Sequence, residues 1–285
     1  MTVIPVVSLD EPNLRPYRTL RRPMEHQQNG IFVAEGEKVV RRLLASSFDV
    51  LTLLLTPEWL DSLRPVLESR PGDTQVFVAG KPVVESIVGF HLHQGIMAVA
   101  RIPRSLTLEE ALRHSHPPML LAAVDGLTNA ENLGVLVRNC AAFDVHALLV
   151  GETSSSPYLR RSVRNSMGTV FTLPIVHLEN IVDALRELRN QFGVRVIAAH
   201  PHAEQISLPQ AAMNGNCCVV FGSEGDGVSG RVLAECDDLV AIPMREGVDS
   251  LNVASASAVF LYEARAQRGN LRLGNNRRQD ARNDL

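Results

Sequence analysis

Asn129-Ala-Glu-Asn-Leu-Gly-Val-Leu-Val-Arg138 follows closely on an apolar run, Met119 to Val124. Two later stretches repeat the arrangement. Phe221-Gly-Ser-Glu-Gly-Asp-Gly227 follows Cys217-Cys-Val-Val220, and Ile242-Pro-Met-Arg-Glu-Gly-Val-Asp-Ser-Leu-Asn252 follows Leu239-Val-Ala241. Each places glycines and polar side chains directly after a strand-like segment. In an open α/β sheet, ligands bind in the crevice beyond the carboxyl ends of the strands. Three such places in one half of the chain predict one composite site.

Working outward, the C-terminal half alternates strands and helices. Strands are predicted at 119–124, 146–150, 170–175, 194–199, 217–222 and 239–242, and helices at 129–142, 178–192 and 251–267. The apolar runs are continuous rather than alternating, as in strands buried on both faces of a mostly parallel sheet. The N-terminal half has a smaller α/β pattern. Its strands are predicted at 30–34, 50–55, 75–79 and 95–100, and its helices at 37–45, 57–68 and 81–88, after an irregular stretch over 1–29. The fold class is therefore α/β, organised as a domain over 1–102, a linker over 103–118 with prolines around a short helical patch, a larger domain over 119–267 and a polar, disordered tail over 268–285.

Composition bounds the function. The 45% hydrophobic content supports a core, and no apolar run approaches a membrane span. The N-terminus has no basic segment followed by a long apolar one, so the expected location is cytoplasmic. Cys140, Cys217, Cys218 and Cys236 form no CxxC pair and read as buried thiols, with Cys217 and Cys218 on opposite strand faces. Net charge is −3, yet 26 of the 28 cations are Arg, a residue suited to planar recognition of phosphate; genome base composition accounts for the bias equally well.

Within the first stretch, Thr128 and Glu131 have capping-box spacing, which predicts a helix start there. Asn132 then lies in the first turn, where the helix dipole favours anions. Gly134 is one turn before Arg138, so the Arg138 side chain can lie over a bare turn. Phe221–Gly227 departs from the dinucleotide fingerprint in spacing, and Glu224 within it argues against a phosphate ligand. Ser250 can cap the third helix, with Asn252 in its first turn. Arg160, Arg161 and Arg164 form a basic cluster that suits a polyanion or a solvated face. The pairs His91/His93, His114/His116 and His200/His202 have no Cys or carboxylate at ligand spacing, so no metal is expected.

Together the three stretches, with Arg164-Asn-Ser-Met-Gly-Thr-Val-Phe171 between them, resemble the SPOUT superfamily of RNA methyltransferases in its 2′-O-ribose, SpoU/TrmH-like branch. The resemblance covers residues 119–265 in order. Gly30-Ile-Phe-Val-Ala-Glu-Gly-Glu-Lys38 and Gln94-Gly-Ile-Met-Ala-Val-Ala100 resemble the small ribosomal-protein-like RNA-binding domain of many members. The resemblance implies a deep trefoil knot, a homodimer, S-adenosylmethionine as cofactor and structured RNA as substrate. It implies no metal and no membrane partner. Arg138, Asn132, Glu224, Ser250 and Asn252 match the family's catalytic positions. Phe221, Gly222, Glu224, Gly227, Ile242, Met244, Ser250 and Leu251 match cofactor-binding ones, and Arg160, Arg161 and Arg164 are assigned to RNA. Large-subunit ribosomal RNA is the expected substrate. Transfer RNA, a non-catalytic RNA-binding relative and a small-molecule enzyme of ordinary doubly wound type are the alternatives. Arg245 to Asp249 is more polar than a cofactor wall is expected to be.

Overall fold

The computed structural model describes residues 1–8, 11–70, 74–86, 95–204 and 206–269. The His91/His93 pair, the end of the helix predicted over 81–88, and all but the first two residues of the expected tail lie outside them.

The N-terminal half contains β1 (Thr2–Val6), α1 (Arg15–Arg18), α2 (Pro23–Gln28), β2 (Ile31–Glu35), α3 (Glu37–Leu44), β3 (Val50–Leu55), α4 (Pro57–Ser69), β4 (Gln75–Ala79), α5 (Lys81–Ser86) and β5 (Ile96–Arg101). Its sheet has the order β1-β4-β3-β5-β2, with β5 antiparallel to both neighbours. The stretch expected to be irregular thus contributes a strand and two short helices. Pro5 lies within β1, which is the sheet edge, where a missing N–H is tolerated.

The C-terminal half contains α6 (Leu108–Leu112), β6 (Leu120–Val124), α7 (Ala130–Ala142), β7 (Ala147–Val150), α8 (Arg160–Asn165), β8 (Ile175–His177), α9 (Ile181–Phe192), β9 (Arg195–Ala199), β10 (Ile206–Ser207), β11 (Cys217–Phe221), α10 (Gly230–Leu233), β12 (Asp238–Ala241) and α11 (Val253–Gln267). The seven strands are ordered β10-β12-β9-β11-β6-β7-β8, and every pairing is parallel. The strand predicted over 170–175 is instead a helical turn at Thr169–Phe171 followed by β8. Phe171 leaves the sheet to pack against the N-terminal half, and Pro174 precedes the strand.

The continuous apolar runs are explained by burial on both faces. In β6, Leu120, Ala122 and Val124 pack with Leu133, Leu136 and Phe260 of α7 and α11. Leu121 and Ala123 pack with Leu108 of α6, Leu185 of α9 and Val232 of α10. Cys217 and Cys218 divide between the same two layers, and both are buried and reduced.

Two predicted boundaries move. The stretch read as a linker carries α6, closed by a capping box between Thr107 and Glu110, and Leu108, Ala111 and Leu112 are buried against the larger sheet. Arg268, placed at the start of the tail, is anchored: it donates to the carbonyls of Pro118 at 2.7 Å and Gly215 at 2.6 Å.

The two halves share a hydrophobic layer. Phe32 stacks on Phe171 at 5.7 Å and lies 5.7 Å from Tyr158, while Phe48 meets Phe171 edge-on at 5.3 Å. Each such pair adds about 0.5–1.5 kcal/mol beyond burial. Beside this quartet, Glu35 pairs with Arg160 at 2.5 Å and Arg164 at 3.6 Å. Among the described residues, no helix is long and apolar enough to cross a membrane.

Candidate active site

The site is assembled from the carboxyl ends of the central strands. After β6 the chain turns through Asp125 to Asn129, and the Asn129 side chain caps α7 by accepting the N–H groups of Glu131 at 2.9 Å and Asn132 at 3.2 Å. This displaces the predicted Thr128/Glu131 capping box: Asn129 reaches the same free amides one residue later. Gly134 does not leave room for Arg138. A Cβ there would stand 2.5 Å from the Ser162 carbonyl oxygen and 2.8 Å from Asn165 Cβ, so the glycine allows α8 to touch the backbone of α7. Ser162, fully buried, also donates to the Ala130 carbonyl at 2.7 Å.

Arg138 is exposed and has no hydrogen bond or ion pair among the described residues. Its nearest rival explanation, a surface pair with Glu131, does not hold, because Glu131 faces Arg161 at 3.4 Å. The basic cluster is divided. Arg160 is tied to Glu35 with its side chain 21% exposed, while Arg164 and Arg161 remain 50% and 70% exposed. Docking the N-terminal half thus draws Arg160 away from the solvent-facing role assigned to all three.

After β11 the chain makes a narrow hairpin. Ser223 and Gly227 exchange backbone hydrogen bonds of 2.9 and 3.2 Å, and Ser223 Oγ accepts the Asp226 N–H at 3.0 Å. A Cβ on Gly222 would lie 2.0 Å from the Gly227 carbonyl carbon, so no larger residue fits the closed loop. After β12, Ile242 to Leu251 curves back to α11. The α11 cap is Asn252, which accepts the Ala254 N–H at 2.9 Å, and Ser250 is exposed and makes no cap. Asn252 also donates to Oδ1 of Asn132 at 3.3 Å, joining the first and third stretches. Behind this contact, Asn139 of α7 donates to Ala254 O and Ser257 Oγ of α11 at 2.8 and 2.9 Å.

These loops enclose a cavity of about 420 Å³, within the range of small-molecule sites. Phe221, Gly222, Glu224 and Gly227 line it from one side and Ile242, Met244, Ser250 and Leu251 from another. Asn252 borders it as well, whereas Asn132 and Arg138 stand outside, on α7. The wall combines apolar surface from Phe221, Val240, Ile242 and Phe260 with the carboxylates of Glu224 and Asp249. That composition fits a ligand with a flat apolar part and a cationic part, so the polar stretch Arg245–Asp249 contributes an acid to the wall rather than interrupting it.

Sequence reasoning missed the third loop. Ala199, His200, Pro201 and His202, at the end of β9, also line the cavity. His200 N–H donates to the Val240 carbonyl at 3.0 Å, and His200 Nδ1 accepts the His202 N–H at 3.3 Å. The criterion that found the other loops, polar residues directly after an apolar strand, applies here too, but the His-x-His spacing drew attention to metals.

Comparison with known proteins gives this geometry a family. A sequence model described as the SpoU rRNA Methylase family matches residues 119–262. An uncharacterized tRNA/rRNA methyltransferase of Mycobacterium bovis is 33% identical over 261 residues, covering 89% of this chain and 88% of the relative. A 23S rRNA (guanosine-2′-O-)-methyltransferase, RlmB, of Ralstonia nicotianae is 37% identical over 186 residues, or 65% of this chain and 74% of the relative. Among solved structures, an AdoMet-bound rRNA methyltransferase from Sinorhizobium meliloti superposes with a TM-score of 0.79 at 25% identity, covering 93% of this chain and 98% of that one. The matched region contains all three strand-end loops and the Asn132–Asn252 contact that joins two of them, and this chain belongs to the SpoU rRNA methylase family.

Proposed function

We propose that the protein is an S-adenosylmethionine-dependent RNA 2′-O-ribose methyltransferase acting on large-subunit ribosomal RNA. The observation that carries this reading is the convergence of the loops after β9, β11 and β12 on one cavity, with α7 and α11 tied beside it by Asn132 and Asn252. Ribosomal RNA is favoured over transfer RNA by the RlmB relatives.

When bound, S-adenosylmethionine supplies a methyl group already activated by its sulfonium. The backbone of Gly222 to Gly227 and the apolar side chains of Phe221, Ile242 and Leu251 would hold the cofactor, and the acids Glu224 and Asp249 in the same lining would suit its positive charge. The protein must then align a ribose hydroxyl and assist loss of its proton. Arg138 has its whole guanidinium available to clamp a phosphate and handle that proton. Asn132, fixed by Asn252, orients the nucleotide, and Ser250 lines the cavity. Arg161 and Arg164 extend the grip on RNA.

The reading includes a deep trefoil knot formed by the cavity loops, a separate substrate-binding role for residues 1–102, and a homodimer. Leu251, Val259 and Tyr262 support the dimer: they are 40%, 39% and 52% exposed at the start and along one side of α11. The test is methyl transfer from labelled cofactor to ribosomal RNA of a strain lacking the gene, with mass mapping of the product. No transfer to large-subunit RNA, or no cofactor binding at millimolar concentration, refutes the function.

A further inference from the structure

The glycine loop lines a second cavity. The order β9-β11-β6-β7 places β11 centrally. The first cavity lies over β9 and β12, and the second, of about 820 Å³, lies on the other side, over β6 and β7. Ser223, Glu224, Gly225 and Gly227 belong to both. Thr128 and Asn129 complete the second wall and lead directly into α7, which carries Asn132 and Arg138. An occupant is therefore separated from the first cavity by one loop.

The wall chemistry narrows that occupant. Asp125 is 4% exposed and accepts the Ser229 N–H through Oδ2 at 2.8 Å. Glu152 accepts from Arg231 at 2.5 Å and from the Ile181 N–H at 3.0 Å, which holds the Arg231 guanidinium at the cavity edge. The Asp226 carboxylate has no partner among the described residues, and Ser229 Oγ is buried without one. Arg231 is the one cation among the lining residues, against Asp125, Glu152, Glu224 and Asp226. Such a wall repels phosphate and favours a neutral group rich in N–H donors. RNA offers that group as a base edge. Guanine places two adjacent donors, N1–H and N2–H, where one carboxylate accepts both, and O6 beside them for an Arg. Adenine, cytosine and uracil each offer a single donor group on that edge.

We propose that the second cavity receives the base of the nucleotide whose ribose is methylated, and that it selects guanine through Asp226 and Arg231. This rests on the methyltransferase reading above. It also agrees with the guanosine named for the RlmB relatives, although the cavity, not the relatives, supplies the residues.

The test uses the full-length protein and ribosomal RNA from a strain lacking the gene. Digestion of the product should yield 2′-O-methylguanosine. A methylated nucleoside with another base overturns the base assignment alone, whereas no methylated nucleoside overturns the functional reading and this assignment with it. A second arm ties the base to the cavity. Thr153→Trp, which fills the space from an exposed rim position, should raise KM for RNA about tenfold or more, the scale of one lost bidentate base contact. Its cofactor Kd by calorimetry should stay within about twofold. A third arm replaces the mapped guanosine with inosine, which lacks the N2 amino group. The substitution should lower kcat/KM about tenfold for the wild type and have little effect on Asp226→Asn. An unchanged KM in Thr153→Trp, or an inosine penalty that persists in full in Asp226→Asn, overturns the proposal.

Discussion

The side-chain amide of Asn252 donates to Oδ1 of Asn132 at 3.3 Å, across 120 residues of chain, while its own Oδ1 caps α11 through the Ala254 N–H. One side chain therefore closes a helix and fixes a proposed substrate-positioning group. The two roles can be separated. Asn252→Ser keeps a good cap but is too short to reach Asn132. Stability should change by no more than about 0.5 kcal/mol, while methyl transfer falls about tenfold or more. Asn252→Ala should lose the cap too, at about 1 kcal/mol. Urea denaturation beside single-turnover kinetics reads both quantities, and equal activity in Asn252→Ser and wild type would remove Asn132 positioning from the mechanism.

Arg138 lacks a partner among the described residues, so its removal leaves no buried charge behind. Arg138→Ala should keep its melting temperature and cofactor Kd while kcat falls by about 10²–10⁴-fold, the range for a lost proton-handling group. Arg138→Lys should not restore the rate, because an ammonium lacks the planar fork. Near-normal turnover in either variant makes Arg138 a spectator.

Gly222 packs against the Gly227 backbone with no space for a side chain. Gly222→Ala should force the hairpin open and abolish cofactor binding in calorimetry. The β6–β11 pairing beneath it remains, so circular dichroism should be unchanged. A Gly222→Ala protein that binds cofactor normally shows that the closed hairpin is not the binding form.

Glu35 is the shared acid of Arg160 and Arg164, and its side chain is 10% exposed. Glu35→Gln should destabilise the protein by about 1–3 kcal/mol, between exposed and fully buried pairs. It should also speed proteolytic cleavage near residues 103–118. Unchanged stability would leave the aromatic quartet as sufficient for docking.

Burial lowers the pKa of both His26 and His177 from the ordinary 6.5. The unfolded chain then binds more protons than the folded one as pH falls through 6.5, so stability is full above that value and declines below it. The urea midpoint should drop between pH 7.5 and 5.5, less steeply in His177→Asn. A flat profile would mean that both rings take up protons without cost in the folded protein.

The larger sheet and the three ligand loops were legible because their signal is local: an apolar run ending in glycine and polar residues. The helix caps were misplaced by one or two residues, since Asn129 and Thr128, or Asn252 and Ser250, are equally good caps in isolation and packing decides between them. Gly134 was read for what its own helix could do, when its purpose lies in the backbone of α8. Arg160 was read with its neighbours as one basic face, because nothing near it announces Glu35, 125 residues earlier. The second cavity was invisible for the same reason: Asp125, Glu152 and Asp226 are brought together by the strand order.

The quartet of Phe32, Phe48, Tyr158 and Phe171 belongs to a layer that runs unbroken from the smaller sheet into the larger. Two units joined by a tether melt independently, each with its own midpoint. Here neither sheet can expose its inner face without stripping the other, so heat should take the chain apart in one cooperative event with matching calorimetric and van't Hoff enthalpies. The N-terminal half is then a fixed part of one folding body, and whatever loosens one sheet loosens both.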